Sequence, residues 1–267
     1  MSLVRLQSVA SQVKRRARFG LAGFNQLLWP TVCMNCGRNI CETDDRLCRS
    51  CWGELLECTG GDYCPRCGRD ASRYGLVEGS CPDCQGREFF FDGIARAGVY
   101  DKALRKMILA FKLSGRTELD VVLGFLANSA FQGAAFVQEV DFFVPVPMHW
   151  TRRLLRGYNQ SHLIARRLKH DSVKTNTELV KIRRTKSQTA MTTPAGRARN
   201  VAGAFAVRRG HSFAGRRLCL VDDIKTTGAT LNECADVLKQ AGASKVYALV
   251  VAVAGQNVSY PAFLTLL

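Results

Sequence analysis

The strongest pattern of hydrophobic positions lies near the end of the chain, in two apolar runs separated by an amphipathic segment. Residues 218–221 read Leu-Cys-Leu-Val, and residues 246–254 read Val-Tyr-Ala-Leu-Val-Val-Ala-Val-Ala. Such runs are typical of strands that are buried on both faces. Between them, apolar residues at positions 231, 234, 235 and 238 follow the spacing of one helix face. The pattern predicts a β-loop-α-β unit with a helix over 230–241, which is the building block of a parallel sheet.

The loop of this unit carries polar residues that point to a ligand. Asp222 and Asp223 follow the first strand directly, at the end where ligands bind in open α/β sheets. The start of the helix has free N–H groups and the positive end of the helix dipole, which together attract anions. Hydroxyl groups and a glycine stand there, on the residues Thr226, Thr227, Gly228, Ala229 and Thr230. Neighbouring carboxylates suit the hydroxyl groups of a sugar better than a bare phosphate, so we predict a sugar phosphate as the ligand.

Upstream segments continue the alternation of strands and helices. The apolar periodicity predicts a strand over 94–100, a helix after the N-cap Asp101, a helix over 118–131, a strand over 140–147 and a short strand over 178–183. Another helix is expected to begin within 157–161. The chain is therefore predicted to form an α/β fold, with a mostly parallel sheet flanked by helices.

Two connecting segments are basic and are predicted to be loops. They are 148–156, with Arg152, Arg153 and Arg156, and 184–200, with Lys186, Gln188 and Arg197. Guanidinium groups bind phosphate oxygens well, often with two hydrogen bonds. Long polar connections inside a compact domain are commonly functional. Both segments are thus candidates for contact with an anionic ligand, although the second could also be an ordinary solvated loop.

Eight of the twelve cysteines form four Cys-x-x-Cys pairs that predict metal binding. The pairs are Cys33/Cys36, Cys48/Cys51, Cys64/Cys67 and Cys81/Cys84, and the sequence Cys-x-x-Cys-Gly-Arg occurs at both 33–38 and 64–69. This repeat favours two successive zinc ribbons, one zinc on the first two pairs and one on the last two. The spacing leaves a crossed pairing open. Four thiolates close a zinc site, so we predict that both zinc ions are structural.

The net charge of +16 is unevenly distributed. Residues 151–209 contain 15 Lys and Arg against 2 acids, or +13, whereas residues 33–92 contain 7 against 11, or −4. A nucleic-acid surface is therefore expected on the basic stretch and not on the Cys-rich segment.

The beginning of the chain is predicted to be a basic, partly amphipathic helix over 1–28. It lacks the apolar core of a secretory signal, and the apolar run at 246–254 is far shorter than the ~20 residues of a membrane helix. Unpaired thiols in metal-binding spacing are typical of a reducing compartment. We therefore expect a cytoplasmic protein without membrane insertion.

The loop at 222–230 resembles the phosphoribosyl pyrophosphate (PRPP) signature of type I phosphoribosyltransferases, an apolar run followed by Asp-Asp and Thr-x-Gly-x-Thr. The chain contains neither a Walker loop nor a Gly-x-Gly-x-x-Gly motif. The resemblance implies that Asp222 and Asp223 bind the ribose hydroxyl groups, while Thr226 to Thr230 bind the 5-phosphate. It also implies that the basic loop at 148–156 binds pyrophosphate and that the loop at 184–200 closes over the site.

Several motifs together resemble the ComF family, including its GntX-like members. They are Pro-Val-Pro at 145–147, Arg-Gly-Tyr-Asn-Gln-Ser at 156–161, Gln188 with Arg-x-x-Asn at 197–200, Phe111-Lys112, and the double zinc ribbon. The resemblance covers roughly residues 27–254 and implies a double zinc ribbon over 29–92 and a phosphoribosyltransferase-like domain over 93–254. A basic extension over 1–28 and a tail over 255–267 fall outside it. The family is linked to natural transformation and to the handling of incoming single-stranded DNA.

Two functions follow from this resemblance and the charge pattern. In the first, the protein binds Mg²⁺ with PRPP or a related sugar phosphate as a phosphoribosyltransferase, and it supports DNA uptake and natural transformation or nucleotide-linked metabolism. The residues Asp222, Asp223, Arg156, Lys186 and Arg197 would serve catalysis, and Arg153 would bind PRPP with the loop at 226–230. In the second, the same scaffold binds single-stranded nucleic acid without turnover, and Trp150, Tyr158 and Phe205 stack on bases. Single-stranded DNA and DNA-processing competence proteins are then the expected partners.

Overall fold

The computed structural model describes residues 31–40, 46–84, 86–185 and 193–255. The helix predicted over 1–28 lies outside these ranges. The chain divides into two compact units between Gly53 and Glu54. The first unit contains the cysteine cluster of residues 33–51, where an isolated bridge joins Val32 to Asn39. Helix α1 spans Arg49–Cys58.

The second unit is organised on a five-stranded parallel sheet with the order β1-β7-β6-β2-β3. Its strands are β1 (Gly93–Val99), β2 (Phe142–Pro145), β3 (Lys174–Thr175), β6 (Arg217–Lys225) and β7 (Lys245–Val253). All the pairings are parallel. The two apolar runs of the sequence form β6 and β7, which lie side by side at the centre and are almost fully buried. The predicted parallel α/β sheet is thus confirmed.

Helices cover this sheet. They are α2 (Lys102–Leu113), α3 (Asp120–Gln132), α5 (Gln160–Ala165) and α7 (Ala229–Gln240). The apolar stripe of α7, at Leu231, Cys234, Ala235 and Leu238, packs in one cluster with Leu218 and Leu220 of β6. Side chains alternate between the faces of a strand, so Cys219 and Val221 face away from α7. Helix α3 contacts β1, β7 and α5.

Two segments that the sequence predicts to be loops contain short helices. Helix α4 spans Trp150–Arg156 and helix α6 spans Pro194–Val201. Both have local start signals: the side chain of His149 accepts a hydrogen bond from the N–H of Thr151, and Thr193 caps α6 with a proline at its first position. Neither helix has a continuous apolar stripe, which is why the periodicity did not reveal them.

A separate antiparallel hairpin pairs β4 (Leu179–Lys181) with β5 (Phe205–Val207). The predicted strand over 178–183 is therefore present but lies outside the main sheet. The 186–192 part of the basic connection, including Lys186 and Gln188, lies outside the described residues. In the described ranges, no helix combines the length and the apolar character needed to cross a membrane.

Candidate functional site

The adjacent acids lie near the carboxyl end of β6 in distinct surroundings. The hydroxyl group of Ser161 donates a 2.8 Å hydrogen bond to Oδ1 of Asp222, and the backbone N–H of Asp223 donates to the same oxygen at 2.9 Å. Burial, followed by the charge of Asp223, raises the pKa of Asp222 to about 7. The charge of Lys112 and the hydrogen bonds from Ser161 and the Asp223 N–H act in the opposite direction and favour the charged carboxylate.

Asp223 is paired with a lysine from a distant part of the chain. Its side chain is only 6% exposed, and Oδ1 lies 2.8 Å from Nζ of Lys112, the penultimate residue of α2. A buried carboxylate needs such a partner to offset the loss of hydration. The cation beside the two acids is thus a lysine side chain of the protein itself.

The loop at 226–230 has the geometry of an anion cradle. Gly228 is in the left-handed region, with φ +87°, and immediately precedes α7, so that the first N–H groups of the helix point out of the loop. The hydroxyl group of Thr227 accepts a 3.4 Å hydrogen bond from the N–H of Ala229. A Cβ atom at Gly228 would lie 3.0 Å from Cε of Lys225. The backbone conformation therefore favours glycine, and any larger residue would also have to displace the end of the Lys225 side chain slightly.

The arginines after β2 differ in their exposure. Arg153 is exposed, Arg156 is half-buried, and Arg152 is half-buried with its guanidinium group 3.4 Å from the carbonyl oxygen of Thr185. Burial lowers the pKa of Arg152, and the charges of Arg156 and Arg184 lower it further. Arg152, which the sequence placed in the basic loop but did not single out, is therefore more enclosed than Arg153.

Lys181 on β4 is the second cation of this region. Its Nζ donates a 2.9 Å hydrogen bond to the hydroxyl group of Thr185 and lies 5.0 Å from the ring centre of Phe205. Burial, and then the charge of Arg152, lowers the pKa of Lys181 to about 8, while Asp222 acts in the opposite direction. In the part of the chain that the structure describes, neither Arg152 nor Lys181 forms an ion pair with an acid. Partly buried cations without an acidic partner, such as Arg152 and Lys181, favour the binding of an anion.

The other predicted site residues have varied placements. Arg197 is half-buried on α6, a helix that packs against α7. Among the aromatic residues considered for base stacking, Trp150 is 64% exposed, whereas Phe205 is 4% exposed. The hydroxyl group of Tyr158 donates to the carbonyl oxygen of Phe111. Of these aromatic residues, only Trp150 presents a large exposed surface.

The cysteines form two separate four-thiol clusters. One consists of Cys33, Cys36, Cys48 and Cys51, and the other of Cys64, Cys67, Cys81 and Cys84. In each, the four sulfur atoms lie within 4.8 Å of one another. The predicted sequential pairing is therefore confirmed, and the crossed pairing is excluded. Cys58, by contrast, donates to backbone carbonyl oxygens of Glu54 and Asp101.

The geometry of both clusters fits zinc. Sulfur–sulfur distances are 3.7 Å for Cys36/Cys48, 3.6 Å for Cys64/Cys84 and 3.5 Å for Cys67/Cys81. A tetrahedron with a Zn–S bond of 2.3 Å has sulfur atoms about 3.8 Å apart. The backbone N–H groups of Cys48 and Cys81 donate to the sulfur atoms of Cys33 and Cys64, each at 3.3 Å. These are closed sites for structural zinc, without a position for a reacting ligand.

Lys112, Ser161 and Lys181 are the polar residues of the region that sequence reasoning did not assign to the site. Lys112 and Ser161 stand in segments that carry the ComF resemblance, Phe111-Lys112 and Asn-Gln-Ser at 159–161. Their position inside these motifs was the sequence signal that could have assigned both residues to the site. Lys181 had no signal of its own, because a lysine at the edge of a short strand is ordinary.

Family models match both parts of the chain. A double zinc ribbon domain matches residues 24–85, and a phosphoribosyl transferase domain matches residues 154–261. Together with the paired cysteine clusters and the parallel sheet, these matches define the class of protein as a phosphoribosyltransferase-fold protein with an N-terminal double zinc ribbon.

Similar proteins of known name cover most of this chain. Competence protein F of Haemophilus influenzae is 28% identical over 80% of the chain and 93% of its own length. Competence protein ComFC of Bacillus subtilis is 27% identical over 76% of the chain and 82% of its own length. DNA utilization protein YhgH of Escherichia coli is 28% identical over 73% of the chain and 88% of its own length. The chain is a homologue of competence proteins F and ComFC, which confirms the resemblance to the ComF family.

Proposed function

We propose that the protein binds PRPP with Mg²⁺ at the carboxyl end of β6 and serves DNA uptake or utilization. The observation that carries the proposal is the placement of a carboxylate pair directly before an anion cradle at the start of α7. Asp222 and Asp223 are suited to the ribose 2′ and 3′ hydroxyl groups, and Thr226, Thr227, Gly228, Ala229 and Thr230 to the 5-phosphate. The role in DNA uptake or utilization is proposed from the names of the homologues.

Arg152 and Lys181 are proposed to bind the pyrophosphate group, with Arg156 beside them. The charge of Arg152 lowers the pKa of Lys181 and that of Asp222 raises it, so Lys181 senses charges from both proposed parts of the site. Exposed Arg153 would contact the outer phosphate. Lys186 and Arg197 belong to the connection that would close over the ligand, as the family resemblance implies.

The proposed reaction is the displacement of pyrophosphate from C1 of the ribose by a nucleophile. The C1–oxygen bond breaks with both electrons leaving on pyrophosphate, and a bond from the nucleophile to C1 forms. Mg²⁺, bound through carboxylate and phosphate oxygens, would neutralise charge on the phosphates. The catalytic roles proposed for Arg156, Lys186 and Arg197 are to stabilise the leaving group, and those for Asp222 and Asp223 are to hold the sugar in position.

Pyrophosphate binding is expected to draw a proton onto Lys181. The pKa of Lys181 is about 8 in the free protein, and a bound anion favours the charged lysine, so binding raises this pKa. At pH 8, binding should then take up about half a proton at this residue. Calorimetric titrations of Mg²⁺-pyrophosphate in buffers of different ionisation enthalpy measure this uptake.

Proton uptake by the wild type is compared with that by the Lys181→Met variant. Protons exchanged by the ligand itself are the same in both proteins, so the difference reports Lys181. The variant's proton uptake should be smaller than that of the wild type, and its affinity about tenfold weaker or more. Lys169→Met, at an exposed lysine, is the control and should behave as the wild type. Equal proton uptake and equal affinity in the wild type and Lys181→Met would remove Lys181 from the site.

Single-stranded nucleic acid is the second candidate ligand, favoured by the surface of α4. Trp150 is 64% exposed on a helix that also carries Arg152, Arg153 and Arg156, in a stretch with a formal charge of +13. An exposed indole ring can stack on a base while arginines bind the backbone.

The affinity for a single-stranded oligonucleotide should fall about tenfold or more between low and moderate salt. Trp150→Ala should weaken binding, whereas Phe125→Ala, at a 62% exposed aromatic residue on α3, should not. Fluorescence anisotropy measures both effects. Absence of binding at low salt, or equal loss in the two variants, would argue against this surface.

A further inference from the structure

Lys112 is a cation supplied by the chain itself at the position where a carboxylate pair would otherwise attract a metal ion. Its Nζ lies 2.8 Å from Oδ1 of Asp223, and the two side chains are 26% and 6% exposed. We propose that Lys112 is a positioning residue that keeps free divalent ions off the aspartate pair, so that Mg²⁺ enters the site together with PRPP. The inference concerns the ligand-free protein and deepens the function proposed for this site.

The position of Lys112 is fixed by its neighbours. The preceding residue, Phe111, is fully buried, and its ring centre lies 5.7 Å from that of Tyr158. The carbonyl oxygen of Phe111 accepts the hydrogen bond of the Tyr158 hydroxyl group, and the N–H of Ser114 closes the helix onto the carbonyl oxygen of Ala110. The end of α2 is thereby attached to the segment that follows the arginines of α4. Lys112 is therefore held beside the acids and is not a freely moving surface side chain.

The electrostatics of the acid pair require a cation. Two neighbouring carboxylates, buried Asp223 and half-buried Asp222, repel each other, and this repulsion together with the loss of hydration disfavours the charged state of Asp222. Lys112 offsets that repulsion at both acids: it pairs directly with Asp223, and its charge also stabilises ionised Asp222. If the ammonium group were absent, the carboxylate oxygens of Asp222 and Asp223 would be suitable ligands for a divalent ion. The ammonium group of Lys112 therefore balances the charge of the two carboxylates in the ligand-free protein.

Lys112 also leaves acceptor capacity for a sugar. A carboxylate has two oxygens and about four lone-pair positions. The structure shows Lys112 on one oxygen of Asp223, and Ser161 with a backbone N–H on one oxygen of Asp222. Ribose hydroxyl groups could therefore donate to the remaining positions while Lys112 stays in place. A metal ion bound directly by both acids would compete with the ammonium group.

Binding of free Mn²⁺ to the zinc-loaded protein tests the proposal without PRPP. Electron paramagnetic resonance measures the free Mn²⁺ that remains. Lys112→Met should bind one Mn²⁺ ion at the aspartates, with an affinity about tenfold or more above any binding by the wild type there. Lys112→Arg should behave as the wild type because it restores the charge. The site of Lys112→Met should disappear in Lys112→Met/Asp223→Asn.

Lys106→Met is the matched control, since Lys106 is exposed on the same helix. It should gain no site. Circular dichroism and zinc content establish that the variants are folded, and Lys112→Gln repeats the test with a polar side chain if the methionine variant does not fold. Equal Mn²⁺ binding by the wild type and both neutral variants would overturn the proposal. This outcome is independent of whether PRPP binds, which is measured separately.

Discussion

Replacing Gly228 with valine should weaken Mg²⁺-PRPP binding by about 100-fold or more while the protein remains folded. Gly228 has a φ of +87°, and its missing Cβ atom would lie 3.0 Å from Cε of Lys225. A β-branched residue cannot adopt this conformation without strain, so the loop must shift. The N–H groups at the start of α7 would then no longer converge on the 5-phosphate. Calorimetric titration of the variant measures the loss.

Gly210→Val is the matched control for the cost of a positive φ angle. Gly210 has a φ of +83°, and nothing lies within 4 Å of its missing Cβ atom. This variant should lose stability by about 1–2 kcal/mol from the backbone conformation alone and keep its affinity for PRPP. If the two glycine variants bind PRPP equally well, the loop at 226–230 is not the phosphate site.

Loss of the second zinc cluster should destabilise the α/β sheet by about 3 kcal/mol or more. The carbonyl oxygen of Pro65, between Cys64 and Cys67, accepts the N–H of Ile94 at 2.9 Å, and the missing Cβ atom of Gly68 lies 3.1 Å from Cγ2 of Val253. The following segment pairs Asp70 with Arg96, which is 4% exposed on β1. Without zinc, this segment has too few apolar side chains to stay folded, and Arg96 would lose its partner.

The change is Cys64→Ser together with Cys67→Ser, and its control is Cys33→Ser with Cys36→Ser. Each variant should lose one zinc ion per chain, measured by elemental analysis. Urea unfolding followed by circular dichroism should show the large loss of stability for the second cluster, which shares a compact unit with the sheet. The first cluster lies in the other unit, so its loss should affect the sheet transition less. Equal transitions in both variants would mean that the second ribbon does not support the sheet.

Local patterns were sufficient to predict the centre of the sheet and the zinc ligands. The strands β6 and β7 are continuous apolar runs, and α7 has a regular stripe, so period and length identified each element. The clusters followed from the repeated Cys-x-x-Cys spacing because each pair lies in one tight turn. The acids and the threonine loop could be proposed as a site from the sequence because they directly follow one strand. These features depend on neighbours in the chain.

Contacts between distant segments could not be predicted in the same way. The pairing of Lys112 with Asp223 and of Ser161 with Asp222 depends on how α2 and α5 pack near β6. The greater enclosure of Arg152 over Arg153 depends on α4 being a helix, which turns adjacent residues to different sides. The roles proposed for Lys186 and Gln188 remain predictions, since both lie outside the described residues.

Calorimetric titration of PRPP, with Mg²⁺, into zinc-loaded wild-type protein and into Asp222→Asn/Asp223→Asn tests the central claim most directly. The substitutions keep the shape of the side chains but remove both charges and one acceptor oxygen from each, so the ribose hydroxyl groups lose their charged acceptors. The proposed site predicts one binding site in the wild type and an affinity at least about 100-fold lower in the variant. No binding to folded wild-type protein, or equal binding by the two proteins, would contradict it.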